Sequence, residues 1–164
     1  MLTRAYLSLG SNLGDRTGHL RAAINKLSSV GTVTKCSSFY ETEPVEFTNQ
    51  PEFLNCVVEL ETALNPHQIL DAILQIEREM GRDRSTQLRK GPRTIDIDLL
   101  LAGDAVIKTP HLVVPHPSMQ DRRFVLEPLA EIAPDAMHPL LHRTIRELVE
   151  SLPPGQAVTK LEIA

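Results

Sequence analysis

Tryptophan is absent from this chain, and aromatic residues make up only 4% of it. A sheet that binds nucleic acid by stacking needs exposed aromatics on central strands and a basic face. The formal net charge of −4 argues against such a surface, so any basic patch is local and no nucleic-acid partner is expected. Two cysteines, Cys36 and Cys56, are too few for a disulfide framework or a zinc site. They are read as reduced, partly buried thiols in strands. No apolar run approaches the roughly 20 residues of a membrane span. The opening Met1–Tyr6 lacks the apolar region and cleavage pattern of a signal peptide. A cytoplasmic protein without membrane contact is expected. Internal repeats, low-complexity tracts and interdomain linkers are missing too. The 164 residues are therefore read as one domain, 1–164, with a monomer as the default. Twelve prolines point to substantial loops.

What is present is clear hydrophobic periodicity. Thr3 to Leu9 reads as a strand with Ala5, Leu7 and Leu9 on its core face. Leu20, Ala23, Ile24 and Leu27 recur at helical spacing within 15–30, and Gly31 is a fitting stop. Strands are predicted over 32–41 and 53–61, the second with Leu54, Cys56, Val58 and Leu60 inward. Pro66 suits the first turn of a helix over 66–80, whose buried stripe is Ile69, Leu70, Ile73, Ile76 and Met80. A strand over 94–102 follows. The order strand, helix, strand, strand, helix, strand predicts an α+β fold. Its core is a ferredoxin-like βαββαβ unit with an antiparallel sheet and both helices on one face. The C-terminal third is expected to add a strand pair (105–107 and 112–114) and a helix near 144–151.

Gly91-Pro92-Arg93-Thr94-Ile95-Asp96-Ile97-Asp98-Leu99-Leu100-Leu101 is the most informative stretch. Period two puts Ile95, Ile97, Leu99 and Leu101 on the core face and Asp96 and Asp98 side by side on the other. Two carboxylates at that spacing repel unless a cation lies between them. Mg²⁺ takes hard oxygen ligands and keeps positions open for phosphate. Arg93 precedes the acids, and Arg82, Arg84 and Arg89 lie in the loop before it. Acids for a metal beside cations for an anion is the equipment of nucleotide phosphate chemistry. A strand with one wet, charged face is the plain alternative for Asp-x-Asp alone.

In this topology the first strand lies between the third and the fourth. The face away from the helices then carries small Ser8 and Gly10 as a floor, Phe53 and Asn55 on one side, and Asp96 and Asp98 on the other. That is a pocket for a flat polar heterocycle beside a metal. Taken alone, Phe53 fits a core aromatic equally well, and Asn55 a water-bonded strand residue. Long loops, 42–52 and the basic 81–93, border the face and read as binding loops. Glu77 falls inside the apolar arc of the second helix, and a carboxylate there needs a partner. An arginine of the adjacent loop is the expected one. Gly10-Ser11-Asn12 reads as a turn packed on the pocket loops rather than a phosphate cradle. His116, in a Pro-His-Pro turn, reads by itself as a loop histidine. His19, His67, His111, His138 and His142 show no metal-ligand spacing.

Several motifs resemble those of the 6-hydroxymethyl-7,8-dihydropterin pyrophosphokinases of folate biosynthesis. They are Leu9-Gly10-Ser11-Asn12-Leu13-Gly14-Asp15, Ser38 to Val45, Gln50 to Asn55, Gly91 to Asp98, Val114-Pro115-His116-Pro117 and Arg122 to Leu129. They run in order along nearly the whole chain. The resemblance implies transfer of pyrophosphate from ATP, the co-substrate, to the hydroxymethyl group of the dihydropterin, with AMP leaving. The chain has no Walker A motif, and the family uses none.

Roles carry over by resemblance. Asp96 and Asp98 are similar to the family's ligands for two Mg²⁺ ions. Phe53 and Phe124 resemble the aromatic pair around the pterin. Asn55 resembles the amide that reads the ring edge, with backbone groups near Thr42 and Val45. Arg82 and Arg93 resemble the cations that hold phosphates and stabilise transferring charge. His116, Arg122, Arg84 and Glu77 complete the expected ATP side. The chain departs from the usual pattern at Glu46, Leu74, Lys90, His111 and Val113. Lys90 stands where members often carry tryptophan, and it cannot cover the site as an aromatic does. Two other readings compete: a non-catalytic ferredoxin-like metabolite-sensing module and an RNA-binding sheet. A sensor has little need of an acid pair with an arginine loop, and the RNA reading lacks aromatics and positive charge.

Overall fold

Alternating burial decides which side of each strand meets a core. A computed structural model describes residues 2–42, 52–81, 94–155 and 158–161. In chain order the elements are β1 (Thr3–Ser11), α1 (Arg16–Lys26), β2 (Thr32–Cys36), β3 (Tyr40–Thr42), β4 (Phe53–Thr62), α2 (Pro66–Glu79) and β5 (Asp96–Ala102). Then follow β6 (Ile107–Lys108), β7 (Val113–Val114), α3 (Arg123–Ile132), β8 (Met137–His138), β9 (Arg143–Thr144), α4 (Ile145–Glu150) and β10 (Val158–Lys160).

Local chemistry starts the two long helices. The Asp15 carboxylate accepts the Gly18 N–H and caps α1. Asn65 and Gln68 form a reciprocal capping box on α2, with Pro66 in its first turn.

The main sheet is antiparallel in the order β10-β3-β4-β1-β5, with β2 pairing the far half of β4. As expected, β1 lies between the strands that carry Asn55 and the acid pair. One face of the sheet buries Ala5, Leu7, Leu9, Leu54, Cys56, Val58, Leu60, Ile97 and Leu99 against Leu20, Ala23 and Leu27 of the α1 segment and Ile69, Ile73 and Ile76 of α2. Each such aliphatic side chain contributes roughly 1.5–3 kcal/mol on full burial. Cys36 and Cys56 are free thiols, the first exposed and the second buried.

Three expectations need correction. The second sheet face is not left open along its length. Tyr6, Val57, Leu100 and Leu101 pack there against Met119, against Val125, Leu126 and Leu129 of α3, and against Ile145 and Leu148 of α4. Both predicted helices do share one face, but α3 and α4 cover part of the other. Leu101 belongs to this second core rather than the first. The register between β1 and β5 shifts between Tyr6 and Leu7, and a bulge moves the following side chain to the opposite face. The single strand expected over 32–41 is two, β2 and β3. Between them Ser37 Oγ accepts the Val57 N–H at 2.9 Å, so a side chain replaces part of the ladder. The C-terminal strand pair and helix are present as β6, β7 and α4, with the unexpected β8–β9 pair and β10 in addition.

Candidate active site

One end of the second face stays uncovered by α3, and there the three central strands set out the site in register. Gly10 of β1 is paired with Asn55 of β4 on one side and Asp96 of β5 on the other. Ser8 is paired with Asp98. The missing side chain of Gly10 gives the amide its place: a Cβ there would lie 2.7 Å from Asn55 Oδ1 and 3.6 Å from the Phe53 ring. Gly10 and Ser11 continue β1, and Ser11 and Asn12 are fully buried, which agrees with packing rather than with a phosphate cradle.

The amide end is tightly held. Asn55 Nδ2 donates to Thr42 Oγ1 at 2.8 Å, so its Oδ1 is the group turned toward Gly10. The Thr42 contribution seen here is thus a side chain that orients Asn55. Arg16, at the start of α1, donates to Glu41 Oε2 at 2.7 Å and to the Glu52 carbonyl at 2.9 Å. It ties together the two chain segments that flank residues 43–51. The Arg16 hydrogen bond holds the Glu41 carboxyl below the usual carboxylate range, against the opposing effect of burial. Val45 lies outside the described residues.

At the acidic end, Asp96 and Asp98 are half-buried on the same face of β5. Between them, the Ile97 N–H donates to Glu77 Oε2 at 2.8 Å. Glu77 is only 1% exposed, and β5 is the edge strand of the main sheet. A carboxylate from α2 therefore satisfies an edge N–H that, among the described residues, no further strand reaches. Arg82, Arg84 and Arg93, including the arginine expected beside Glu77, lie outside the described residues. So do Glu46 and Lys90.

His116 flanks this end. Its N–H donates to the Leu100 carbonyl at 3.0 Å, and its Nδ1 accepts the Ser118 N–H at 3.2 Å. Burial first, and the charge of Arg122 second, push its pKa down to about 4, with Asp96 pulling the other way. The ring is neutral near pH 7, and its acceptor is occupied, so it presents Nε2–H as a donor. The Arg122 guanidinium lies 5.6 Å from the centroid of Phe124, a cation–π contact at the start of α3. The structure thus brings Phe53, Asn55, Asp96 and Asp98 around Gly10, with His116 and Arg122 beside them. Glu77 stands behind β5 rather than on its open face.

Sequence reasoning passed over α3 as an element, together with Arg16, Tyr40 and Glu131. Val125, Leu126 and Leu129 do follow a helical stripe, but Pro128 within it reads as a breaker. Nothing in the sequence singles out Arg16.

An acidic end suited to a metal-bound anion and an amide-and-aromatic end suited to a flat heterocycle, on one α+β sheet, make up the equipment of a small-molecule transferase. The family model for 7,8-dihydro-6-hydroxymethylpterin-pyrophosphokinase matches residues 6–134. A 2-amino-4-hydroxy-6-hydroxymethyldihydropteridine pyrophosphokinase of Bacillus subtilis (strain 168) is 52% identical over 130 residues, covering 78% of this chain and 77% of that one. One from Methylorubrum extorquens is 43% identical over 156 residues, covering 94% and 96%. The folate synthesis bifunctional protein of Arabidopsis thaliana is 42% identical over 127 residues, but these span only 26% of its length. Among solved structures, the wild-type HPPK-DHPS of Plasmodium falciparum with STZ-DHP gives a TM-score of 0.72 at 18% identity, over 92% of this chain and 43% of that one. That likeness speaks for the fold alone.

The chain belongs to the 7,8-dihydro-6-hydroxymethylpterin-pyrophosphokinase family. It is an ATP-using transferase of folate biosynthesis that passes pyrophosphate to the hydroxymethyl pterin, and the sensing-module alternative is not favoured. Among the described residues, no helix is long and apolar enough to cross a membrane.

Proposed function

We propose that the cleft around Gly10 is where this transfer takes place, with the pterin at the Asn55 end and the triphosphate at the Asp96 end. The observation that carries this reading is the three-strand register: Asn55, Gly10 and Asp96 are direct neighbours on one face. The pterin has a donor-and-acceptor edge, and the amide held by Thr42 offers a fixed Oδ1 acceptor to it. Phe53 and Phe124 cover the ring faces in this reading. Asn55 and the two aromatics orient the substrate, so that its hydroxymethyl oxygen faces the β-phosphorus. A new O–Pβ bond forms as the hydroxymethyl oxygen gives its proton to water, the bond from Pβ to the oxygen of the α-phosphate breaks, and AMP leaves with that oxygen. Arg82, Arg93, Arg84, Arg122 and the neutral Nε2–H of His116 receive the charge that develops on the phosphates.

Asp96 and Asp98 suit Mg²⁺. They are hard oxygen donors on one face, next to small Gly10 and Ser8. Among the described residues, no three His, Cys, Asp or Glu side chains gather into a complete metal cage. A two-carboxylate set leaves coordination positions for phosphate oxygens and water, as Mg²⁺ prefers. Bound there, Mg²⁺ supplies charge stabilisation to the phosphates and a lower pKa to the attacking hydroxyl. The same reading has two such ions, a monomeric protein and a cytoplasmic reaction. Glu77 supports β5 from behind and belongs to the ATP side of the site in this scheme.

Fluorescence titration with 6-hydroxymethylpterin tests the placement. Wild-type protein binds it, and Asn55→Ala and Phe124→Ala weaken binding while leaving ATP affinity in place. Unchanged pterin affinity in both variants rejects the assignment.

A further inference from the structure

Glu131 is a polar residue in the last turn of α3, and it receives more hydrogen bonds than any apolar packing role calls for. Its Oε1 accepts the Tyr40 hydroxyl at 2.6 Å and the Ser38 N–H at 3.0 Å. Its Oε2 accepts the Ser38 hydroxyl at 2.8 Å, and Lys160 of β10 stands 4.0 Å away. One carboxylate thus joins three segments that are distant in sequence: α3, the β2–β3 break with β3, and the C-terminal strand.

Each of those segments leads to the pterin end of the cleft. Tyr40 is paired directly with Asn55 across β3 and β4, and Thr42, two residues on, holds the Asn55 amide. On α3, Glu131 comes seven residues after Phe124, which puts the two on one helical stripe about 10 Å apart along the axis. The outer edge of β3 is paired with β10, Val158 opposite Thr42 and Lys160 opposite Tyr40. Leu161 N–H continues this pairing to the Phe39 carbonyl at 2.8 Å. Residues 158–161 fall beyond the stretch that matches the family model, which ends at 134.

We propose that Glu131 is a positioning residue for the pterin pocket: its carboxylate fastens α3, which presents Phe124, to β3, which presents Thr42, and so fixes the distance between the aromatic wall and the amide. This rests on the pterin placement given above. The carboxylate is well suited to the task. Burial raises its pKa, but the hydrogen bonds from Tyr40 and Ser38 and the charge of Lys160 outweigh that and leave it below the usual range. It is ionised near neutral pH, and charge-assisted acceptors hold their donors firmly.

Steady-state kinetics on the full chain test the idea, with ATP and 6-hydroxymethyl-7,8-dihydropterin varied separately. Glu131→Ala is expected to raise the pterin KM about tenfold or more, since small misplacements of binding groups are costly. Its kcat and ATP KM stay within about twofold of wild type on the same reasoning. Glu131→Gln keeps an acceptor for Tyr40 and Ser38 and recovers most of the lost pterin affinity. Tyr40→Phe removes one hydroxyl only and raises the pterin KM several-fold, which carries the test if the alanine variant does not fold. An unchanged pterin KM in Tyr40→Phe, or in folded Glu131→Ala, overturns the proposal. A purely structural role shows as lower thermal stability with no KM change, and that also overturns it. Absence of pterin turnover in the wild-type protein counts instead against the placement on which the proposal rests.

Discussion

Asn55 and Asp96 are separated by a single glycine: both are paired with Gly10, one from each neighbouring strand. This puts the group proposed to read the heterocycle and the group proposed to meet a metal each one strand spacing from the same glycine. It also makes Gly10 a sensitive position. A Cβ there would lie 2.7 Å from Asn55 Oδ1, so the amide must shift against its hydrogen bond to Thr42. Gly10→Ala is therefore expected to fold with a loss of about 1 kcal/mol from the disturbed hydrogen bond, and to weaken pterin binding by about tenfold, with ATP binding intact. Calorimetry with each ligand separates the two. Equal affinity for pterin in the variant contradicts the assigned place of Asn55.

Asp96→Asn and Asp98→Asn keep the shape of each side chain while removing charge that a metal requires. Each is expected to lower turnover by about a thousandfold or more, as loss of a strong transition-state contact does. The fold is retained, as circular dichroism would confirm. Near-normal turnover in the double variant at saturating Mg²⁺ refutes the metal role.

Glu77 supports the backbone between these acids. Removing its carboxylate in Glu77→Ala leaves the buried Ile97 N–H without this acceptor, at a cost of about 1–3 kcal/mol in stability. Glu77→Gln retains an acceptor oxygen and is expected to lose much less. Urea denaturation of the two variants measures the difference, and equal stability would falsify this account of Glu77.

The two variants also show what the sequence makes legible. Glu77 stands out because a charge inside the apolar arc of α2 demands a partner. The chain cannot show that the partner includes an N–H of β5, because edge pairing is a tertiary fact. Period two places Ala5, Leu7, Leu9, Leu54, Cys56, Val58, Ile97 and Leu99 on the proper face. The same rule fails at Leu101, since a bulge opposite Tyr6 and Leu7 leaves no mark in composition. The face that carries Asn55 and Asp96 looks open along its length from the sequence because α3, with Pro128 inside it, does not read as a helix. Phe53, Asn55, Asp96 and Asp98 are readable from alternation alone, whereas Arg16 and Glu131 act through contacts 25 to 93 residues away in sequence.

His116 gives a pH-dependent signature. Burial and the Arg122 charge lower its folded pKa to about 4 from an ordinary 6.5. Between these values the unfolded chain binds more protons at this ring than the folded protein does. Its stabilising contribution is then complete above about 6.5 and is lost as pH falls toward about 4. Nitrogen NMR of the ligand-free protein is expected to show a neutral ring protonated at Nε2 from pH 8 down to 5. A ring that titrates near 6.5, or one protonated at Nδ1, contradicts the Ser118 hydrogen bond as its tautomer lock.

The most direct test follows both substrates at once. Phosphorus NMR of the protein with ATP, Mg²⁺ and 6-hydroxymethyl-7,8-dihydropterin is expected to show AMP and a pterin diphosphate appearing in equal amounts, with signal lost when Asp96 and Asp98 are both replaced. ADP with a pterin monophosphate would mean attack at the γ-phosphorus and contradict the transfer geometry set out here.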